Sequence, residues 1–340
     1  MSDYPQLLRS VLAGDHLSVE DSAGAIGSIM DESMSPVRAA ALLAAMAAKG
    51  ETVEELIGAA RAMRERSVRI IHDLPITIDV CGTGGDGSGT INISTAVAFV
   101  VAGTGVPVAK HGNRAASSAV GSADVLEALG VRLDRSPETS ARLLREKNIA
   151  FMFAQRYHPA MKVVGPIRRE LGVRTIFNVL GPLTNPAGAT HHVVGVAHQK
   201  HVRLVAEALH GLGSIAGAVV HGHHGLDEIA GDGPTQVAQF DREGIRYWSL
   251  DPFKHGIHTP LADLKGGDLA FNATALLAIL DGEASTRADL VCLNAALALV
   301  VAGEAVDIDD GLVRARRSIE QGAARAALEA LRTEHEMEYA

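Results

Sequence analysis

With 340 residues, the chain can form one large domain or two ordinary ones, each with a buried core. Hydrophobic residues at 47% and charged residues at 21% exclude wholesale disorder. The formal net charge of −9 argues against a general nucleic-acid-binding protein, which normally presents a basic surface. An acidic chain that binds a phosphorylated ligand therefore needs locally placed Lys and Arg, or a cation.

The sequence shows no sign of a membrane or secretory segment. The longest apolar candidate, AVAFVVAGTGVPVA, is interrupted by Gly103, Gly105 and Pro107. The N-terminal residues MSDYPQLLRSVLAG contain no basic segment leading into an apolar one, so we expect no signal peptide. Cys81 and Cys292 lack paired metal-ligand spacing and are typical of a reduced, cytosolic protein. We therefore expect a soluble protein of the cytoplasm.

The first part of the chain has the pattern of helices throughout. Ser35 followed by Pro36 is a typical helix start, with Pro at the first helical position. Thr52 and Glu55 form a capping-box pattern ahead of the next helical run. The sequence therefore predicts a small all-helical N-terminal domain over residues 1–73.

After Leu74, short apolar runs alternate with helical patterns, which is typical of an α/β domain with a mainly parallel central sheet. We expect this domain to cover residues 74–340. Strands are predicted at residues 76–80, 106–109, 149–153, 193–196, 218–220 and 236–240. Helices are predicted at residues 94–102, 123–129, 140–146, 202–209, 272–280 and 289–301.

The glycine-rich stretch DVCGTGGDGSGTINISTA follows the first predicted strand. Gly82, Gly84 and Gly87 satisfy G-x-G-x-x-G, but a dinucleotide site also needs an acidic residue about 20 positions further on. The chain has no Asp or Glu between Asp86 and Asp124, and no Gly-Lys-Ser/Thr completes a P-loop. A loop that merely turns the chain is the simplest alternative.

Polar residues at the start of the next helix favour an anion site. Asn92, Ser94 and Thr95 lie where a helix would offer free N–H groups and the positive end of its dipole. Simple N-capping is the alternative for these residues. A second polar loop, KHGNRAASSAVGS, begins at Lys110, at the carboxyl end of the next predicted strand, where open α/β sheets bind ligands. A solvated basic loop is the alternative for this second loop. Two donor-rich loops that follow adjacent strands together predict a polyphosphate site.

Six strings resemble the anthranilate phosphoribosyltransferase family: GTGGDGSGTINISTA, KHGNRAASS, GSADVLEALG, HPAM, RTIFNVLGPLTNPA and GLDE. They occur in order between Val80 and Ala302. The resemblance implies transfer of 5-phosphoribose from phosphoribosyl diphosphate to the amine of anthranilate, an early step of tryptophan synthesis. A related phosphoribosyltransferase or nucleoside phosphorylase with another acceptor is the alternative, and a ligand-sensing protein without turnover is a second.

The resemblance also implies which residues bind each substrate. Phosphoribosyl diphosphate would contact Gly82, Gly85, Asp86, Thr90, Asn92, Ile93, Ser94, Thr95, Lys110, His111, Gly112, Asn113, Arg114, Ser117, Ser118 and Ser122. Anthranilate would contact Gly82, Asn113, His158 and Arg168.

Adjacent acids in HGHHGLDEI provide the expected cation site. Mg²⁺ is usually held by one or two carboxylates together with substrate phosphate and water, which suits Asp227 and Glu228. The resemblance implies two Mg²⁺ ions, with Ser94 as a further ligand. An ordinary acidic turn is the alternative. The neighbouring His221, His223 and His224 are a candidate transition-metal cluster or solvated loop histidines.

The acceptor site can be argued from periodicity. As a helix, HPAMKVVGPIRREL places Met161, Val164, Arg168 and Leu171 on one stripe, although Pro166 weakens the helix prediction. An arginine on the apolar side of a helix needs an anionic partner. A planar carboxylate matches the forked N–H groups of the guanidinium. An internal ion pair is the alternative. We assign no general base, because a neutral aromatic amine is itself nucleophilic.

The resemblance implies the arrangement of the domains as well. A segment near residues 165–190 would return to the helical domain, and the active site would lie in the cleft between the domains. Helices near the N-terminus would form a homodimer. Neither nucleic acid nor membrane is expected as a partner.

Overall fold

The computed structural model describes residues 4–115 and 119–333. Among these residues, no helix combines the length and apolar character needed to cross a membrane. The chain begins with a bundle of four helices, as predicted. They are α1 (Tyr4–Leu12), α2 (Val19–Met30), α3 (Pro36–Lys49) and α4 (Val53–Glu65).

Seven strands of the described chain form one sheet in the order β3-β2-β1-β4-β5-β6-β7. Strands β1 to β5 pair with one another in parallel, whereas β6 pairs antiparallel with β5 and with β7. The mainly parallel sheet is therefore confirmed. The strands are β1 (Ile78–Gly82), β2 (Val108–Gly112), β3 (Ile149–Phe153), β4 (His191–Gly195), β5 (Ala216–His221), β6 (Thr235–Asp241) and β7 (Gly244–Leu250).

Helices on the faces of the sheet and after it complete the larger domain. Helix α5 has no polar stripe and is buried along almost its whole length, as expected for a helix that packs inside the domain. It contacts α12 and α14. The helices are α5 (Ile93–Gly103), α6 (Ser122–Ala128), α7 (Pro137–Lys147), α8 (Ala154–Tyr157), α9 (Met161–Leu171), α10 (Lys200–Gly211), α11 (Leu269–Leu280), α12 (Thr286–Val301), α13 (Ile308–Glu320) and α14 (Ala323–Thr333).

The helical bundle shares a hydrophobic core with a later part of the chain. Leu42 and Met46 of α3 belong to the same buried cluster as Ile167 of α9 and Phe177. This packing is what a returning segment near residues 165–190 requires. The division of the chain at residues 73 and 74 itself stays a prediction.

The predicted elements agree well with the structure, although one strand and the helices α8, α13 and α14 were missed. Strand β7 was not predicted, because the run GIRYWSL alternates with polar side chains and lies at the exposed edge of the sheet. A two-residue turn ahead of Gly244 joins it to β6. Helices α13 and α14 were also not predicted, although α13 has an Asp307 cap typical of a helix start.

Candidate active site

The candidate site lies where the strand order reverses, beside the carboxyl ends of β1 and β4. From β1 the chain continues to β2 on one side, whereas β4 pairs with the other side of β1. Gly82 and Gly195 face each other at these strand ends. Parallel sheets bind ligands at this kind of crevice, since loops from both sides diverge there.

The glycine-rich segment 83–92, called here the phosphate loop, runs from β1 to α5. Gly84, Gly85, Gly87 and Gly89 all have positive φ, a conformation that favours glycine. The last part of the loop is fixed by residues before α11, since the N–H of Ile91 donates to the carbonyl of Leu264 across 2.9 Å. The local geometry therefore explains why the stretch is glycine-rich.

The acid pair Asp227 and Glu228 contacts the start of the phosphate loop and the first turn of α5 that follows it. The N–H of Gly84 donates to Asp227 Oδ2 at 2.8 Å, and the N–H of Ser94 donates to Glu228 Oε1 at 3.2 Å. Asp86 adds a third carboxylate, since its Oδ2 accepts from the N–H of Asp227 at 3.5 Å. Residues far apart in the chain thus form one site.

This arrangement concentrates negative charge in a poorly solvated place. Burial is the main cause that raises the pKa of both Asp227 and Glu228, and the Asp86 charge raises the pKa of Asp227 further. A bound cation would relieve this repulsion. Among the described residues, no group of three or more His, Cys, Asp or Glu could hold a metal, so phosphate and water would have to complete the coordination.

Lys110 supplies positive charge at the same place. It is buried, and its Nζ donates to the carbonyl of Val80 at 2.7 Å and to Ser94 Oγ at 3.3 Å. Burial of a lysine is unfavourable unless it has such partners or an anion nearby. The structure therefore brings together Lys110, Ser94 and Glu228, as the two-loop prediction requires.

Asn92 and Thr95 are placed beside the loop in different ways. Asn92 is the residue before α5, but its side chain makes no capping bond there. Its Nδ2 donates instead to the carbonyl of Val120, and its Oδ1 accepts from Asn272. Thr95 is buried, and its hydroxyl has no hydrogen-bond partner among the described residues. Simple N-capping by the Asn92 side chain is thus wrong.

The second polar loop is described only in part, because Ser117 and Ser118 lie outside the described residues. Ser122 Oγ donates to the Asn113 carbonyl at 3.3 Å, near the end of β2. Arg114, expected to bind phosphate, forms ion pairs of 2.9 Å with Asp124 and 2.8 Å with Glu127. These carboxylates raise the pKa of Arg114 and occupy its guanidinium.

At the end of β2, two buried histidines lie next to each other. The ring centroids of His111 and His158 are 5.0 Å apart. His111 Nδ1 lies 3.1 Å from the carbonyl of Gly181, so the neutral ring donates there, whereas its Nε2 has no partner among the described residues. Burial lowers the pKa of His158 to about 3, so this histidine is neutral at physiological pH.

Arg168 lies on α9, which forms a helix despite Pro166. The side chain is half-buried and makes no ion pair with a described residue. Burial, together with the nearby Arg174 charge, lowers the pKa of Arg168. The alternative of an internal ion pair for Arg168 is therefore not supported among the described residues. The neighbouring Arg169 is exposed.

The histidine cluster is not arranged as a metal centre. His221 Nδ1 bonds to the carbonyl of Val196 at 2.8 Å, while the rings of His223 and His224 lie 4.0 Å apart at the surface. His224 also lies 3.4 Å from Asp232. The described residues provide no three-ligand group here, so the structure favours solvated loop histidines.

Sequence reasoning missed two residues that organise the site. Asn185 Nδ2 donates to the buried Asp79 at 2.7 Å, and Asp79 also accepts from the His111 N–H at 3.1 Å. Arg174 Nη1 donates to the carbonyl of Gly84 at 3.3 Å. Asn185 lies in the string RTIFNVLGPLTNPA, but nothing in that string indicates a partner on β1.

Comparison with known proteins identifies the family. The model of the glycosyl transferase family a/b domain matches residues 74–325, and that of its helical bundle domain matches residues 5–67. An anthranilate phosphoribosyltransferase of Bradyrhizobium sp. strain BTAi1 is 49% identical, with 97% of this chain and 98% of the relative covered. The chain belongs to this family of anthranilate phosphoribosyltransferases.

Solved structures agree with this assignment. The anthranilate phosphoribosyltransferase of Thermus thermophilus has a TM-score of 0.91 and 42% identity, covering 96% of this chain and 99% of its own. The Saccharomyces cerevisiae enzyme in complex with PRPP and Mg has a TM-score of 0.88 and 28% identity, covering 96% of each chain. These likenesses confirm the helical N-terminal domain and the larger α/β domain.

Proposed function

We propose that the chain transfers 5-phosphoribose from phosphoribosyl diphosphate to the amine of anthranilate, giving N-(5-phosphoribosyl)anthranilate and diphosphate in tryptophan biosynthesis. The observation that carries this proposal is the direct contact of the acid pair with the phosphate loop, through Gly84–Asp227, and with the first turn of α5, through Ser94–Glu228. Relatives of 49% identity over nearly the whole chain support the same reaction.

Phosphoribosyl diphosphate would lie along the two loops at the carboxyl ends of β1 and β2. Backbone N–H groups of Gly82 and Gly85, the hydroxyls of Thr90 and Thr95, and the ammonium of Lys110 are the donors that suit its phosphates. Positive φ at Gly85 fits a close approach of the ligand to the backbone. The remaining proposed contacts are Asp86, Asn92, Ile93, Ser94, His111, Gly112, Asn113, Arg114, Ser117, Ser118 and Ser122.

The residues around the acid pair fit Mg²⁺. Asp227, Glu228 and Ser94 would hold two ions together with diphosphate oxygens and water, and the raised carboxyl pKa values support a cation at this place. When bound, Mg²⁺ would act as a Lewis acid on the leaving diphosphate. Without the ions, three carboxylates near a diphosphate would repel it.

Anthranilate would bind on the opposite side of the ribose, with its carboxylate near Arg168. The half-buried guanidinium has no ion-pair partner among the described residues, and an arginine fork suits a planar carboxylate. Asn113, Gly82 and the neutral His158 would contact the ring or the amine. Catalysis would then rest on positioning the nucleophile and on electrostatic stabilisation of diphosphate, without a general base.

The substrates would occupy the cleft between the helical and α/β domains. We further propose that the protein is a cytoplasmic homodimer that pairs through its N-terminal helices. Exposed Leu12 and Val37, 68% and 80% accessible, support an apolar contact on this part of the molecule.

A fluorescence assay tests the proposed function. Purified protein, phosphoribosyl diphosphate and Mg²⁺ should consume anthranilate, seen as a loss of its fluorescence. Replacing Asp227 and Glu228 together by Ala should abolish Mg²⁺-dependent turnover while the fold survives. Replacing the surface acids Asp241 and Glu243 by Ala makes the same charge change and should leave turnover intact. Diphosphate release with another acceptor, but none with anthranilate, would overturn the acceptor assignment.

A further inference from the structure

A cavity of about 490 Å³ lies apart from the acid pair, between the end of α3 and the start of α10. Its described lining includes Glu51, Arg174, Asn178, His198, Lys200 and His201, and none of the acid-pair or phosphate-loop residues. The helical bundle contributes Glu51, and the α/β domain contributes the other five. We call it the Arg174 cavity.

Two nitrogen atoms in this lining are buried without a hydrogen-bond partner among the described residues. They are Nη2 of Arg174 and Nδ1 of His201. His201 is only 8% exposed, so water does not readily satisfy its ring. Buried polar atoms are almost always bonded, so two unpaired nitrogens on residues of one cavity lining are a reason to look for an acceptor there.

The charges around the cavity favour an anion. Arg174 and Lys200 are the two permanent cations, opposed by the single carboxyl of Glu51. Burial raises the pKa of Glu51, which weakens this opposition. Burial, with the Lys200 charge, lowers the pKa of His201 to about 4, so the ring is neutral and can donate from Nδ1. The start of α10 adds the positive end of a helix dipole.

Two backbone amides at the start of α10 are not available as donors. The N–H groups of His201 and Val202 already bond to the carbonyls of His198 and Gln199. The volume exceeds that of a bare phosphate, and Ala47 and Val179 add apolar walls that suit an organic part.

We propose that the Arg174 cavity is a second binding site, which takes a small molecule carrying a phosphate group, and that its occupant acts on the phosphate loop through Arg174. The same guanidinium bonds to the Gly84 carbonyl by Nη1, and its Nη2 is buried without a partner among the described residues. An anion on Nη2 fixes the orientation of the guanidinium and thereby holds Gly84. This effect on the loop rests on the proposed function, whereas the binding itself does not.

Calorimetric titration with inorganic phosphate tests the site. The active site is first saturated with phosphoribosyl diphosphate and Mg²⁺, without anthranilate, so that no turnover occurs. We expect one further phosphate per chain, bound about tenfold more weakly in Lys200→Gln and in His201→Gln, since each loses one favourable contact. The exposed Lys254 and His210 provide the matched controls, and Lys254→Gln and His210→Gln should bind as the unchanged protein does.

Hydrogen exchange tests the connection to the loop. Phosphate should slow exchange in the peptide containing Gly84 by about threefold in the unchanged protein, and should have no such effect in Arg174→Ala. A parallel titration with malonate separates the ligand classes, and tighter binding of malonate than of phosphate would contradict the phosphate assignment.

Equal phosphate binding by Lys200→Gln and Lys254→Gln would overturn the proposal. Because Lys200 is exposed, this variant should fold even if His201→Gln does not. Failure of phosphoribosyl diphosphate to bind would instead count against the proposed function, and the dependence of phosphate binding on Lys200 would still test the cavity.

Discussion

Asp227 accepts a hydrogen bond from the backbone N–H of Gly84 over 2.8 Å, and this bond joins two segments that lie 143 positions apart. The acid pair is therefore held against the phosphate loop by a hydrogen bond of the chain itself. Gly195, at the end of β4, makes this approach possible, since a Cβ there would lie 1.6 Å from the Asp227 carbonyl oxygen.

Gly195→Ala should consequently separate the acid pair from the loop. The added methyl group would contact backbone rather than a flexible side chain, so Asp227 itself must move. We expect kcat/KM in the anthranilate assay to fall by about 100-fold or more, as displacements near ~1 Å in an active site often cause. Gly24→Ala, on α2 with open space around the glycine, is the control. An equal loss in both variants would contradict the explanation.

Arg168→Ala should weaken anthranilate binding selectively. Removing a charged hydrogen-bonding partner of a carboxylate costs about 1.5–3 kcal/mol, which corresponds to a rise of roughly 10- to 100-fold in the anthranilate KM. The KM for phosphoribosyl diphosphate should change much less. The adjacent Arg169 is exposed, so Arg169→Ala should change neither constant. Equal increases of both KM values in Arg168→Ala would refute the assigned role.

Local patterns predicted the fold and the centre of the site because their signals are short-range. The alternation of apolar runs and helices located six of the seven strands, and the glycines of the phosphate loop lie where positive φ is needed. Strand β7 was not predicted because most of its side chains are exposed, so its sequence shows little of the apolar pattern of a buried strand.

Contacts between residues far apart in the chain could not be predicted from such local patterns. Asp79 and Asn185 are 106 positions apart, and Arg174 and Gly84 are 90 apart. A single sequence carries no signal for which buried carboxylate an amide will meet. Arg114 is a similar case, because the residues around it did not indicate its ion pairs with Asp124 and Glu127.

Glu55→Ala should destabilise the helical bundle. The Glu55 carboxylate is fully buried, bonds to the N–H groups of Leu17 and Thr52, and pairs with Lys49 at 3.0 Å. Breaking a buried pair leaves an uncompensated charge, so we expect the free energy of unfolding to fall by about 3–5 kcal/mol in urea denaturation. Glu54→Ala, at the exposed neighbouring position, should cost no more than about 0.5 kcal/mol. Similar losses in both variants would contradict the buried-pair explanation.

Buried neutral histidines should make the protein acid-sensitive. Burial lowers the pKa of His192 to about 3, and its Nε2 donates to the carbonyl of Ala189 at 2.9 Å. In the unfolded chain a histidine titrates near pH ~6.5. The unfolded state therefore binds the extra proton below that pH, while the folded state resists it down to about pH 3. The stabilising contribution of neutral His192 is complete above the unfolded pKa and is lost as the pH falls through this window.

Between about pH 5 and 6.5 unfolded histidines take up protons, whereas unfolded carboxyl groups titrate mostly below this range. Each such histidine lowers the free energy of unfolding by up to about 1.4 kcal/mol per pH unit as the pH falls. Asp227 and Glu228, whose pKa values are raised in the folded protein, act in the opposite direction in this range, so the effect of His192 is read from the difference between the unchanged protein and His192→Gln. Urea denaturation at several pH values should show a smaller slope for His192→Gln, by about one proton, because the glutamine amide does not titrate. His258→Gln removes an exposed histidine and should leave the slope unchanged. If His192→Gln keeps the full slope, another group must take up the proton on unfolding.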